Sequence, residues 1–305
     1  MSDPGTIHRS GFVTVVGRPN VGKSTLVNRL VGSKVSIVSD RAQTTRNAIR
    51  GVRTTEHSQI VFIDTPGIHK PRTLLGERVN ERARATLTEV DVVCLLVEGN
   101  APIGPGDRFI ANLVQESATP AVLVVSKTDL ARSNDVLEHL AVASSELGDY
   151  EAFVPVSAVT GDGTDALVDE LEARLPEGPQ YYPPEMVTDQ PESFLAAELL
   201  REQLLATARD ELPHSIVVTA DEVEERDSAR GPLLAFALTV RVERDSQKGI
   251  VIGRGGRVLR DAGTAARREL EALLGVAVHL DVRVKVEPDW QRRPHSLDRL
   301  GFERS

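Results

Sequence analysis

The run Gly17-Arg-Pro-Asn-Val-Gly-Lys-Ser24 constrains this chain more than any other stretch. It follows a β-branched apolar segment, Phe12–Val16, and opens a helical-period stretch, Ser24–Val31. A glycine-rich turn from strand into helix lets backbone N–H groups close around phosphate oxygens at a helix N-terminus. In that reading Gly17, Arg18, Pro19, Asn20, Val21 and Gly22 form the cradle. Lys23 reaches the β- and γ-phosphates, the Ser24 hydroxyl ligates Mg²⁺, and Thr25 continues the helix. The motif alone does not separate ATP from GTP.

The pattern around it predicts an α/β domain. Short apolar runs at Phe12–Val16, Gln59–Ile63, Val92–Val97, Ala121–Val125 and Phe153–Val156 alternate with helical stretches such as Ser24–Val31 and Ala166–Leu175. Continuous apolar strands separated by helices indicate βαβ units and a sheet with helices on both faces. Residues 8–176 are assigned to this P-loop domain, and the segment Pro176-Glu-Gly-Pro-Gln-Tyr-Tyr-Pro-Pro places a Pro-rich linker at 177–191. Beyond it the order changes to α-β-β-α-α-β. A helix is expected over Glu192–Leu212, strands over Ile216–Val223 and Leu233–Val242, a short helical segment ending at Gly253, a longer helix over Val258–Leu274 and a strand over Ala277–Val286. Residues 192–305 form this second, α+β domain.

Each further motif sits at the end of an apolar run. Asp64-Thr65-Pro66-Gly67 follows Ile63; an Asp there approaches a metal through water, and Gly67 offers its N–H to a γ-phosphate. Read alone it is an ordinary turn; about 40 residues after a P-loop it becomes a second element of the same site. Ser126-Lys127-Thr128-Asp129 follows Ala121–Val125. An acceptor-only carboxylate at Asp129 takes both donors of guanine's Watson–Crick edge, which adenine does not offer, and Lys127 lays its stem along the base. Ser157-Ala158, after Phe153–Val156, supplies backbone N–H to guanine O6.

Composition removes other classes. Lys+Arg 36 against Asp+Glu 45 makes the chain acidic, with net charge −9, so nucleic-acid contact needs a local basic patch. One patch exists: residues 248–268 carry Lys248, Arg254, Arg257, Arg260, Arg267 and Arg268 against Asp261 alone. Inside it, Gly253-Arg254-Gly255-Gly256 has the Gly-x-x-Gly spacing that lets a nucleic-acid backbone approach between two helices. Ile250, Val251 and Ile252 are expected to back the loop as core, or to floor unstacked bases. A lone Gly-x-x-Gly reads equally as a helix cap; within this island and this element order it resembles a type II KH domain. Cys94, the single cysteine, lies within Val92–Val97, which excludes a disulfide framework or a Cys-rich zinc site. No unbroken apolar run exceeds six residues, and Met1–Ser10 has no apolar segment, so neither a membrane span nor a signal peptide is expected. Trp290, the one tryptophan, is read as packing a tail helix, with base stacking as the alternative.

Together, Gly17–Ser24, Gln43-Thr44-Thr45-Arg46, Asp64–Gly67, the Lys-x-Asp element and the KH-like domain resemble the Era family of bacterial GTPases, from about Gly11 to Phe302. The resemblance implies a switch protein that binds GTP or GDP with Mg²⁺ and hydrolyses GTP slowly. Gln43–Arg46 becomes switch I, in which Thr45, or failing it Thr44, closes on Mg²⁺. Lys23, Thr45 and Gly67 would act on the phosphates; Ser24, Thr45 and, through water, Asp64 would hold the metal. Ile68 stands where related GTPases carry a water-orienting Gln, and neighbouring His69 is read as solvated. The family's guanine motif begins with Asn where this chain has Ser126, whose shorter hydroxyl is expected to fall short of bridging base and P-loop. The resemblance further implies binding of the 3′ end of small-subunit (16S) ribosomal RNA through Lys248, Ile252, Gly253, Arg254, Gly255, Gly256 and Arg257. It also implies action in small ribosomal subunit assembly in the cytoplasm, with peripheral association at the inner face of the cell membrane, and no DNA partner. The alternatives are a nucleotide-dependent scaffold or a membrane-surface cell-cycle switch with little turnover.

Overall fold

The computed structural model describes residues 8–39, 44–69, 71, 73–207, 215–228 and 231–303. In the first half a six-stranded sheet runs in the order β2-β3-β1-β4-β5-β6. Its strands are β1 (Arg9–Gly17), β2 (Ile49–Thr54), β3 (Ser58–Asp64), β4 (Val92–Glu98), β5 (Ala121–Ser126) and β6 (Ala152–Pro155). All neighbours pair in parallel except β2, which lies antiparallel on β3. The helices are α1 (Lys23–Val31), α2 (Leu74–Thr86), α3 (Pro105–Ser117), α4 (Ser133–Glu146) and α5 (Thr164–Glu172).

The apolar runs are continuous because both faces of the sheet are covered. Along β4, Val92, Cys94 and Leu96 pack with α1 and α5, while Val93, Leu95 and Val97 pack with α2, α3 and α4. Burial pushes the Cys94 thiol up to about 12, so it behaves as a small apolar side chain. Strand β2 escaped the sequence reading for a physical reason. As an edge strand it alternates Ile49, Gly51 and Val52 with exposed or half-buried Arg50 and Arg53, and shows no apolar run.

In the second half α6 (Glu192–Thr207) precedes an antiparallel pair, β7 (Val217–Ser228) and β8 (Gly231–Val242). Then come α7 (Asp245–Ile252), a 3₁₀ turn at Arg254–Gly256, α8 (Arg257–Leu274) and β9 (Ala277–Val286), which pairs in parallel with β8. Residues 208–212 of the expected helix lie outside the described residues. The triplet expected to back the Gly-x-x-Gly loop divides: Val251 is buried, Ile252 half-buried and Ile250 exposed, because α7 presents one residue per turn to the core.

The Pro-rich segment is strapped to the sheet rather than hanging free. Val52 N–H donates to the Val187 carbonyl, Gln59 Oε1 accepts from the Tyr181 and Tyr182 amides, and Tyr181 stacks on Phe12 at 5.3 Å. The two halves also meet directly. Leu75 and Val79 of α2 share an apolar cluster with Val217, Trp290, Leu297, Leu300 and Phe302. Trp290 is fully buried, and its Nε1–H donates to the Ser215 carbonyl at 3.0 Å, so it packs the tail and offers no stacking face. That tail is a 3₁₀ turn, Trp290–Arg292, followed by α9 (Pro294–Arg299).

Candidate nucleotide site and nucleic-acid interface

Parallel strands deliver their carboxyl ends to one edge of the sheet, where an α/β fold places its ligand. Here that edge carries Gly17 from β1, Asp64 from β3, Ser126 from β5 and the Ser157 turn beyond β6. Helix α1 begins at Lys23 behind Gly22, a left-handed residue that gives no side-chain cap. Its first N–H groups therefore point into the loop as an anion site. Lys23 is buried, donating to the carbonyls of Gly17 (3.3 Å) and Arg18 (2.9 Å). Burial lowers its pKa to about 8, against the opposing pull of Asp64.

Three oxygens converge beside it. Thr45 Oγ1 lies 3.0 Å from Ser24 Oγ and donates to Asp64 Oδ2 at 3.3 Å. Asp64 Oδ1 is buried without a hydrogen-bond partner. Burial raises the Asp64 pKa, while Ser24 and Lys23 oppose the shift. A hard cation prefers such oxygen donors, so this set fits Mg²⁺. Between Thr44 and Thr45, it is the Thr45 hydroxyl that turns to Ser24 and Asp64. Gln43 lies outside the described residues. Gly67 is pressed against the P-loop: a Cβ there would sit 2.8 Å from Pro19 N, a clash with backbone, so the closeness of the two loops demands glycine. Thr65 donates to the Val15 carbonyl at 2.8 Å, and Pro66 and Ile68 are buried. Ile68 packs among Val16, Leu95 and their neighbours, which turns it away from any attacking water. His69 Nδ1 lies 3.0 Å from the Gly67 carbonyl, which ties the ring to its own loop.

A cavity of about 330 Å³ joins these parts, lined by Pro19, Asn20, Gly22, Lys23, Ser24, Thr25, Thr44, Thr45, Gly67 and Lys127, together with Val38 and Ser39. The last two come from the loop before switch I, which has no motif to mark it. At the base end, Asp129 is exposed and Thr128 lies in a 3₁₀ turn. Ser157 Oγ donates to Asp129 Oδ1 at 2.7 Å, and Ala158 follows half-buried. Lys127 pairs with Glu98 at the end of β4, which also lies 3.8 Å from Arg18; Arg18 is held by Asp107 at 2.7 Å. Glu98 is a member of the site that sequence reasoning missed, although it closes the apolar run of β4. Of the expected gap between base and P-loop, the P-loop end is closed: Ser126 reaches the loop. Its hydroxyl lies 2.7 Å from the Val21 carbonyl and 3.1 Å from that of Val97, because β5 sets it directly beneath the loop.

In the second half, Gly253 has φ 72° and a Cβ there would lie 2.4 Å from Val258 Cγ2, so the turn between α7 and α8 requires glycine. Arg254, Gly255 and Arg257 are exposed, Lys248 is half-buried, and Gly256 opens a groove of about 380 Å³. That groove runs between α8 and β9 past Leu259, Arg260, Gly263, Thr264, Arg267, His279, Leu280 and Val282. Its small residues, apolar floor and two arginines suit unstacked bases and their phosphates. Of the expected contact residues only Gly256 lines it. The helix and strand walls were not picked out, although Gly263 and Thr264 lie about one helical turn beyond Arg260 on the basic stretch. Arg267 is paired with Glu271 at 2.8 Å.

Comparison with known proteins agrees with a GTPase domain followed by a KH domain. Residues 12–127 match the family described as 50S ribosome-binding GTPase, and residues 211–291 match the KH domain family. The GTPase Era of a Nocardioides species is 52% identical over 99% of this chain and 98% of its own. That of Mycolicibacterium paratuberculosis is 52% identical over 97% of this chain and 100% of its own. Among solved structures, a single-residue variant of Aquifex aeolicus Era bound to GDP·AlF4⁻ superposes with a TM-score of 0.92 at 38% identity, covering 97% of this chain and 99% of that one. Era in complex with MgGDPNP and nucleotides 1506–1542 of 16S ribosomal RNA gives 0.92 at 37% identity, covering 97% of this chain and 99% of that one. Among the described residues no helix is long and apolar enough to cross a membrane. With about half its residues shared with these relatives along nearly its whole length, the chain belongs to the Era family of GTPases.

Proposed function

We propose that this GTPase binds GTP or GDP with Mg²⁺ at its P-loop, and binds the 3′ end of 16S ribosomal RNA through its KH domain. It thereby acts in assembly of the small ribosomal subunit. The domains are residues 8–176 and 192–305, joined by 177–191. The observation that carries the reading is that a P-loop beside the convergent Ser24, Thr45 and Asp64 oxygens and a basic, glycine-opened groove occur in one chain, with switch I and α2 of the nucleotide half both touching the KH half.

The roles divide by geometry. The backbone N–H groups of the P-loop, Gly17–Ser24 apart from Pro19, and the Lys23 ammonium hold the β- and γ-phosphates. The hydroxyls of Ser24 and Thr45 and, through water, Asp64 hold the metal, whose charge would offset that developing on the transferred phosphoryl group. Gly67, packed closely against the P-loop, donates its N–H to the γ-phosphate, Asp129 reads guanine, and Lys127 lies along its face. Without a polar side chain at Ile68, and with no cationic finger identified among the described residues, hydrolysis is slow until a partner supplies what is missing. The RNA backbone enters at Gly253–Gly256, with Lys248, Arg254 and Arg257 neutralising phosphates and Ile252 against the bases. The cytoplasm, where subunits assemble, is the matching compartment. Peripheral attachment to the inner membrane face belongs to the same proposal and is read by liposome flotation.

The test replaces Gly253 and Gly256 with Asp and titrates labelled single strands of the 16S 3′ end by fluorescence anisotropy. Loss of RNA binding with GTP binding intact supports the reading; undiminished RNA binding overturns it.

A further inference from the structure

Helix α6 belongs to the KH half, yet it holds the backbone of the loop that carries Thr45. Arg201, on its third turn, is 1% exposed. Glu198, one turn earlier, accepts from Arg201 Nε at 2.8 Å and from Nη2 at 2.7 Å, a bidentate pair that fixes the plane of the guanidinium. The same Nη2 donates to the backbone carbonyl of Thr44. The next residue is Thr45, whose hydroxyl faces Ser24 and Asp64. Glu202 works on the same loop: its Oε1 accepts from Val38 N–H at 2.8 Å, and its Oε2 pairs with Lys34 at 2.5 Å. Lys34 also pairs with Glu269, on the helix that starts at the Gly-x-x-Gly turn.

We propose that Arg201 is a positioning residue for the GTPase reaction, supplied by the KH half: by holding the Thr44 carbonyl it sets the Thr45 hydroxyl at the metal site. The inference rests on the proposed roles of Thr45 and Mg²⁺. A backbone carbonyl fixed on one side of a peptide unit restricts the orientation of the next residue, because the peptide plane joins them. Arg suits the task where Lys would not, since its planar fork spends two donors on Glu198 and still presents one to the loop. Burial keeps water from substituting for that donor. Glu202 and Lys34 fix the start of the same loop, so α6 grips it at both ends. The grip acts on the arrangement that needs Thr45, which is the triphosphate-bound one. A diphosphate, with no γ-phosphate for switch I to close over, draws little on it.

The test uses the full chain and needs no RNA for its first reading. Arg201→Met alone leaves Glu198 buried and unpaired, so the double variant Glu198→Gln/Arg201→Met is measured beside it, with Arg201→Lys as the conservative change. Affinities for GDPNP and GDP are measured against Mg²⁺ concentration, with single-turnover hydrolysis. The double variant is expected to lose roughly tenfold in preference for the triphosphate and to need more Mg²⁺, with GDP affinity within about twofold of the parent, since a buried charge-assisted bond is at stake. Arg201→Lys should recover part of the loss. A folded double variant with the parent's triphosphate preference and Mg²⁺ dependence overturns the proposal. If the double variant does not fold, Arg201→Lys decides: unchanged preference overturns it and a severalfold loss supports it. Titration with the 16S 3′ strand separates the two readings. A parent that binds no RNA refutes the proposed function, while a variant that loses triphosphate preference still supports the role of Arg201.

Discussion

Ser126 is the position where this chain leaves its family's guanine motif, and its hydroxyl is a tether whose loss has a calculable effect. The side chain is 5% exposed, and its hydroxyl lies within hydrogen-bonding distance of the carbonyls of Val21, in the P-loop, and Val97, in β4. In Ser126→Ala the Val21 carbonyl loses a partner in a place that water cannot readily enter. An unsatisfied buried polar group costs about 1–3 kcal/mol. Part of that falls on the fold itself, since the tether also exists without nucleotide; in a domain of this size about 1 kcal/mol moves the melting temperature by roughly 2–4 °C. The remainder appears in binding, because Val21 stands between the left-handed residues Asn20 and Gly22 that shape the phosphate cradle. If about 1 kcal/mol is lost there, GTP and GDP affinities each fall roughly fivefold. Both nucleotides share the base and β-phosphate, so their ratio should stay constant. The preference for guanine over adenine should stay too, because it resides in Asp129. Fluorescent-nucleotide titration with ATP competition, alongside thermal melts, reads all three quantities. Unchanged melting and affinity, or a collapse of guanine preference, would refute the tether. Ser126→Asn replaces the hydroxyl with an amide able to span further and should bind nucleotide more tightly; a weaker site would show that the cavity under Val21 is shaped for serine.

Other consequences follow from the same geometry. Lys23 has its pKa lowered to about 8 by burial, whereas the unfolded side chain keeps the ordinary 10.5. Between those values the unfolded chain holds a proton that the folded apoprotein does not, so apoprotein stability should rise with pH across that window. Phosphates restore the charge, so nucleotide binding takes up a proton there; affinity should be level below pH 8 and fall up to about tenfold per unit above it, by calorimetry in buffers of differing ionisation enthalpy. Lys23→Ala should abolish both the tight binding and the slope. Asp129→Asn should lose guanine preference by several kcal/mol, since an amide sets donors against guanine's donors; equal displacement of GTP by ATP in the parent would contradict this assignment. Trp290→Ala should destabilise the chain by about 3–5 kcal/mol, the usual cost of emptying a buried aromatic site, and loosen α2 from the tail in hydrogen exchange.

The parts of the protein built from strong local chemistry were legible in the sequence. Gly17–Ser24, Asp64–Gly67 and Lys127–Asp129 each follow an apolar strand, and a parallel sheet necessarily brings such strand ends to one edge. The buried strands β1, β3, β4 and β5 were legible because two covered faces make an unbroken apolar run. What escaped depends on distant partners. Edge strand β2 looks like a polar loop until β3 is beside it. Glu98 looks like the residue that ends a strand until Lys127 and Arg18 arrive from elsewhere. The reach of the Ser126 hydroxyl depends on how deeply β5 sits beneath Val21, which no spacing encodes. The grip of Arg201 on Thr44 joins residues 157 positions apart in the chain. The groove walls on α8 and β9 likewise become a surface only once helix and strand pack.

Because Arg201 ties switch I to the KH half and α2 shares an apolar cluster with the tail, nucleotide state and RNA grip should be linked, and linkage has a strict signature. RNA affinity is measured with GDPNP and with GDP bound, and GDPNP and GDP affinities are measured with and without saturating 16S 3′ strand. RNA should bind the GDPNP form more tightly, by a factor in the range of about 5–150, and should favour GDPNP over GDP by the same factor. Equal RNA affinity in the two nucleotide states, with both nucleotides bound and the KH groove competent, would contradict it.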